Sequence, residues 1–103
     1  MFAVKAVLAP RAEATATDPP EPSFAGHLLG ASPPAVAHVT LRRSSRGLTA
    51  MIFTEARDLR EAESVAHAAC LSWLDEERLR GWSLVRCEGD LWLTVEATEE
   101  YGM

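Results

Sequence analysis

The chain has 103 residues, of which 48% are apolar and 24% charged, a composition typical of a folded domain rather than a disordered chain. Its 15 acidic and 10 basic side chains give a net charge of -5, which disfavours non-specific attraction to nucleic acid or to anionic lipid. No segment approaches the roughly 20 apolar residues of a membrane span, and two cysteines are too few for a secreted disulfide framework. We therefore expect a small cytoplasmic protein that binds neither nucleic acid nor membrane.

The N-terminal third divides into an alternating segment and a proline-rich one. Residues 1–9 alternate in a way that predicts a short strand at the edge of a sheet, with a helix as the alternative; the residues of one face are Phe2, Val4, Ala6 and Leu8. Residues 10–35 contain all six prolines, which disfavour regular helix and central strand. This segment is predicted to be an arm or linker, and its apolar island at 24–29 can dock onto the domain or onto a partner protein.

Residues 36–43 and 48–55 predict an antiparallel hairpin. Both segments are rich in strand-forming residues, and the connection ends at Gly47, which can adopt the positive φ that hairpin loops often need. The second strand is apolar on both faces, whereas a strand covered on one face only should be polar on the other. Something other than a single helix is therefore expected to cover Met51 and Phe53.

A helix is predicted to follow this hairpin. Asp58 and Glu61 have the spacing of a capping box, in which each side chain satisfies a free amide of the first turn. Gly81 suits the end of the helical region, and because Leu79 falls off the apolar stripe, the regular helix is expected to end about a turn earlier. The predicted stripe contains Leu59, Ala62, Ala66, Ala69, Cys70 and Trp73.

Residues 82–87 and 91–98 predict a second hairpin, and the assembled elements predict an α+β two-layer sandwich. Its antiparallel four-stranded sheet (ββαββ) would have the order 2-1-3-4, with 48–55, 36–43, 82–87 and 91–98 as successive neighbours. One helix would cover one face, and the N-terminal strand would be an extra edge strand. The domain would span 36–98, followed by a tail at 99–103.

The predicted sheet has an apolar face that the single helix does not cover. Core packing is the ordinary explanation of such residues, but an apolar patch that a monomer leaves exposed marks an interface or a ligand groove, and we favour the interface over a pocket. The predicted interface residues are Met51, Phe53, Trp82 and Trp92. We therefore expect a homodimer formed through the sheet.

Three residues are weaker candidates for ligand binding, namely His38, His67 and Cys70. Glu63, His67 and Cys70 lie along one edge of the helix, and Cys87 on the neighbouring strand can come within reach of them, but the spacing is not that of a zinc site. A Cys–His nucleophile would need two side chains that here diverge along one helix. No metal, cofactor or catalytic residue is therefore predicted.

The leading functional hypothesis is a small non-enzymatic interaction or accessory protein that self-associates through its sheet, with the arm available to its own domain or to a protein partner. The alternative is a small-molecule binding protein or cofactor-independent enzyme of the dimeric α+β kind, with a cleft between helix and sheet. A third and weaker class is nucleic-acid binding by the hairpin tip, which carries Arg42, Arg43 and Arg46.

Overall fold

A computed structural model describes residues 1–11, 18–44 and 47–89. They form a two-layer α+β fold, which confirms the predicted class. The strands are β1 (Phe2–Pro10), β2 (Val36–Ser44), β3 (Gly47–Thr54) and β4 (Trp82–Gly89); the helices are α1 (Ala25–Gly30) and α2 (Leu59–Trp73), with 3-10 turns at Pro22–Phe24 and Glu77–Leu79. The predicted strand at 91–98 and the tail at 99–103 lie outside the described residues.

The four described strands form one antiparallel sheet in the order β2-β3-β1-β4. β1 pairs with β3 on one side and with β4 on the other, so the N-terminal strand lies in the middle of the sheet rather than at its edge. The expected contact between the strands at 36–43 and 82–87 does not form, because β1 and β3 separate them. Val4, Ala6 and Leu8 of β1 are fully buried on the face toward the helices, as suits a strand in the middle of a sheet.

Helix α2 packs its apolar stripe on one face of this sheet, and its start agrees with the sequence. Five stripe residues are fully buried: Ala62, Ala66, Ala69, Cys70 and Trp73. The Asp58 carboxylate accepts a hydrogen bond from the Glu61 amide at 2.8 Å, which is the predicted N-cap. The return bond differs, because the Glu61 carboxylate accepts from the amide of Arg57 rather than from that of Asp58.

Helix α1 belongs to the same layer as α2. Leu28 is fully buried in the common core, and its carbonyl accepts a hydrogen bond from the Trp73 indole at 3.0 Å. The Ser32 hydroxyl accepts from the same indole at 2.9 Å and donates to the Leu28 carbonyl at 2.6 Å. The apolar island of the proline-rich segment is thus docked on the domain, and residues 25–35 are part of the fold rather than a linker.

Two interruptions of register occur among the four described strands. On β4, Leu84 pairs with Leu8 and Arg86 pairs with Val7, so Val85 is an extra residue, a β-bulge. On β2, a similar shift skips Ala37. The bulge at Val85 places both Leu84 and Cys87 on the helix-covered face, although an uninterrupted strand would send them to opposite faces.

The chain leaves the helical layer through Leu79 and Gly81. Leu79 is fully buried, and Gly81 has a φ of 82°, which is the left-handed region that glycine tolerates best. The regular helix ends at Trp73, as the position of Leu79 off the stripe predicted. Within the described ranges, neither helix has both the length and the apolar character needed to cross a membrane.

Candidate functional site

The face of the sheet opposite the helices is here called the second face. The strand registers assign to it Ala3, Lys5, Val7 and Ala9 of β1, Thr49, Met51 and Phe53 of β3, His38, Thr40 and Arg42 of β2, and Ser83, Arg86 and Glu88 of β4. The central strands contribute most of its apolar side chains. β2 and β4, the outer strands of the described sheet, contribute polar and charged side chains, most of which are exposed. The second face therefore has an apolar centre with a charged rim, interrupted by the exposed Lys5.

Two of the four predicted interface residues lie on this face. Met51 and Phe53 are half-buried and point away from the helices. Trp82 does not belong with them: it is only 4% exposed and is part of the core. It pairs with Pro10 in the register of the helix-covered face, so its indole is directed under the helical layer. Trp92 lies outside the described residues.

The three predicted ligand-binding residues are not brought together. His38 is exposed on the second face, where its ring lies 6.0 Å from that of Phe53 at a tilt of 42°. His67 is exposed on α2, and Cys70 is fully buried beneath the same helix. Because the sheet and the helix separate these environments, the three side chains do not line a common pocket.

Cys70 has a different partner. Its thiol is hydrogen-bonded to that of Cys87, which is half-buried on β4. This hydrogen bond lowers the pKa of Cys87, although burial and the nearby Glu63 carboxylate oppose the shift. The same contact and burial raise the pKa of Cys70. The Glu63 carboxylate is held beside Cys87 by a 2.8 Å hydrogen bond from the Gly89 amide.

Two open grooves lie near the ends of the helices, and the sequence did not indicate them. One has a volume of about 480 Å³ and is lined mainly by Arg11, the segment after α2 and Trp82. The other has a volume of about 320 Å³, beside His27, Phe24 and Arg78. His27 stacks on Phe24 at 4.8 Å and contacts the Glu76 carboxylate at 3.2 Å. The sequence did not reveal these contacts because they join the α1 region to the segment after α2, which is far away along the chain.

Nothing in the second groove marks a preformed ligand site. The His27 side chain is 56% exposed, and Arg78 lies over the Phe24 ring at 5.7 Å, so these groups attach α1 to the segment after α2. Across the described ranges, every buried side-chain nitrogen or oxygen has a hydrogen-bond partner. The same part of the chain shows no cluster of three or more His, Cys, Asp or Glu side chains suited to a metal ion.

The arrangement thus offers two chemically distinct features, an apolar sheet face with a charged rim and a hydrogen-bonded thiol pair. The first suits macromolecular contact, and the second suits thiol chemistry. The cleft between helix and sheet that a ligand-binding alternative needs is instead occupied by core side chains, Trp73 and Ile52 among them. No protein-family model, curated protein or solved structure matches this chain.

Proposed function

We propose that the protein is a small interaction module that self-associates through its second face. The observation that supports this most directly is the position of Val7, Met51 and Phe53, three apolar side chains on the face away from the helices. A sheet packed on one side only is normally polar on the other. An apolar centre surrounded by charged residues is the usual composition of a protein interface.

The charges of β4 favour a second copy of this chain as the occupant. Arg86 pairs with Val7 and Glu88 pairs with Lys5, so the two charges occupy adjacent rows of the second face. A twofold axis between facing sheets, perpendicular to the strands and between these rows, places Arg86 of each copy over Glu88 of the other. A symmetric interface requires such reciprocal pairing. The same axis brings Val7 of one copy near Met51 of the other.

The size of the second face sets the expected strength of this dimer. Strands of eight or nine residues are about 27 Å long at roughly 3.3 Å per residue. Four strands at a spacing of roughly 4.8 Å are about 19 Å wide, so the face measures on the order of 500 Å². Standard stable interfaces bury roughly 800 Å² per partner. We therefore expect a reversible dimer whose dissociation constant is in the micromolar range.

Sedimentation velocity over a concentration series tests this proposal. The wild-type chain is expected to shift from monomer to dimer with rising concentration, whereas Phe53→Glu stays monomeric because an interfacial carboxylate without a partner is costly to bury. Ala68→Glu adds the same charge on the exposed surface of α2 and is the matched control. Circular dichroism of each variant verifies that it is folded.

A charge-reversal cycle tests the orientation of the dimer. Arg86→Glu and Glu88→Arg should each weaken association, because each places like charges opposite one another, and the double reversal should restore it. A wild-type chain that stays monomeric across the series contradicts self-association. A dimer that survives Phe53→Glu places the interface elsewhere on the molecule.

A further inference from the structure

The contact between Cys70 and Cys87 joins the two layers of the fold. Cys70 is fully buried on the inner side of α2, whereas Cys87 lies on β4, an edge among the described strands, and is partly open to solvent. Both are free thiols, and they are hydrogen-bonded to each other. Cys87 faces inward only because of the bulge at Val85. The fold therefore holds two reduced sulfur atoms together at the margin of its core.

The two thiols differ in the way that ordered oxidation requires. Cys87 is the accessible member, and the hydrogen bond from Cys70 lowers its pKa, which favours the reactive thiolate. Cys70 is shielded, and its pKa is raised, so it stays a thiol. An accessible thiolate beside a second cysteine is the arrangement of a thiol that oxidises reversibly, because the second thiol captures the first oxidation product before it reacts further.

We propose that Cys70 and Cys87 form a reversible intramolecular disulfide, with hydrogen peroxide as the oxidant and Cys87 as the residue that reacts first. The Cys87 thiolate attacks one peroxide oxygen, the O–O bond breaks, and the leaving hydroxide takes a proton to become water. This leaves a sulfenic acid on Cys87. The Cys70 sulfur then attacks the Cys87 sulfur, the S–O bond breaks, and a second water leaves with the Cys70 proton. In total, two thiols and one peroxide give one disulfide and two waters.

The position of the disulfide defines its consequence for the molecule. It covalently connects α2 to β4, and therefore the helical layer to one margin of the described sheet. The bond would lie on the helix-covered face, away from Met51 and Phe53. The disulfide and the proposed self-association can thus succeed or fail independently.

The test begins with the reduced full-length chain, which is treated with equimolar hydrogen peroxide. The protein is then unfolded in denaturant that contains N-ethylmaleimide, which alkylates the remaining thiols, and its intact mass is measured. Both thiols should become unavailable to alkylation together, in a monomeric product whose mass is lower by two hydrogen atoms. Reduction with dithiothreitol should make both thiols available again. A peptide map should show residues 70 and 87 linked. The same treatment of protein already unfolded in denaturant is the control, and it should form the intramolecular bond at least about tenfold more slowly.

Two single variants establish the order of events. In Cys70→Ser, oxidation should stop at a sulfenic acid on Cys87 that dimedone captures. In Cys87→Ser, the buried Cys70 should react with peroxide about tenfold more slowly than Cys87 does in the other variant. Three results overturn the proposal: a wild-type product linked only between chains, equal rates for Cys70 and Cys87 in the two variants, or sulfinic acid on wild-type Cys87 in place of the internal disulfide.

Discussion

The two faces of the same sheet show two different uses of apolar residues. On β3, Leu48, Ala50 and Ile52 are fully buried against the helices, while the intervening Met51 and Phe53 are half-buried on the second face. Adjacent residues of this strand therefore have the same backbone geometry and the same apolar character, but their side chains have different surroundings. On the helix-covered face, each apolar side chain has a packing partner that accounts for it. On the second face, the described part of the chain supplies no helix, so apolar character there requires another explanation.

The largest expected effect is on the helix-covered face, at Trp73. Trp73→Ala removes a fully buried indole and both hydrogen bonds to the α1 region, so unfolding should become easier by about 3–5 kcal/mol. Trp73→Phe keeps an aromatic ring without the N–H donor, so its free energy of unfolding should lie between those of the wild type and Trp73→Ala. The denaturant midpoint at constant slope measures this. An unchanged midpoint for Trp73→Ala would show that the helical layer does not depend on this residue.

Neighbouring alanine substitutions on β3 compare the two faces directly. Ile52→Ala should cost about 2–5 kcal/mol because it leaves a cavity in the core. Met51→Ala should cost less than about 1 kcal/mol when measured at concentrations where the chain is monomeric. Chemical denaturation of both variants at nanomolar concentration, well below the expected dissociation constant of the dimer, gives the comparison. Equal losses would mean that the second face is packed in the isolated chain and has no need of a partner.

Ser32→Ala tests whether α1 is a working part of the helix-covered layer. The variant loses one acceptor for the Trp73 indole, while the Leu28 carbonyl still accepts from it, so the loss should be about 0.5–1.5 kcal/mol. Ser64→Ala, at an exposed position of α2, is the control and should be neutral or slightly stabilising. Thermal or chemical denaturation resolves the difference. Identical midpoints for the two variants would argue against a stabilising contribution from this contact.

The smallest effect concerns the margin of the helix-covered face, where Cys87 lies. Because the pKa of Cys87 is lowered, its alkylation by iodoacetamide should reach half of the maximal rate at a lower pH than the alkylation of an ordinary cysteine does. Cys70→Ala removes the hydrogen bond that lowers the pKa, so the midpoint should move to higher pH. Glu63→Gln removes the negative charge that raises it, so the midpoint should move to lower pH. Shifts in the same direction for both variants would refute this account.

Features set by local chemistry could be predicted from the sequence. The Asp58 cap, the buried stripe of α2 and the hairpin of β2 and β3 each depend on residues close together along the chain. The sequence also predicted correctly that Met51 and Phe53 lie on the face away from the helices. This too is a local property, since alternation along one strand decides which side chains share a face. Whether these residues form an interface stays a prediction.

Features set by distant contacts could not be predicted in this way. Residues 1–9 show a strand pattern, but nothing in that pattern states that β3 and β4 will pair on either side of it. The prolines around α1 suggested an arm, but the position of α1 in the fold depends on a hydrogen bond from the Trp73 indole, which is far away along the chain. Trp82 was assigned to the wrong face because its orientation depends on pairing with Pro10.

The extra residue at Val85 decides the direction of every side chain that follows it on β4. If the strand kept Val85 but lost the bulge, with Leu84 still facing the helices, Arg86 and Glu88 would point into the helical layer and Cys87 would point toward the second face. Deleting Val85 would instead make Leu84 and Arg86 neighbours in regular alternation, with all these directions kept. We therefore expect the inward sulfur and the outward charges of β4 to survive removal of this residue, and to exchange places only if the strand straightens around it.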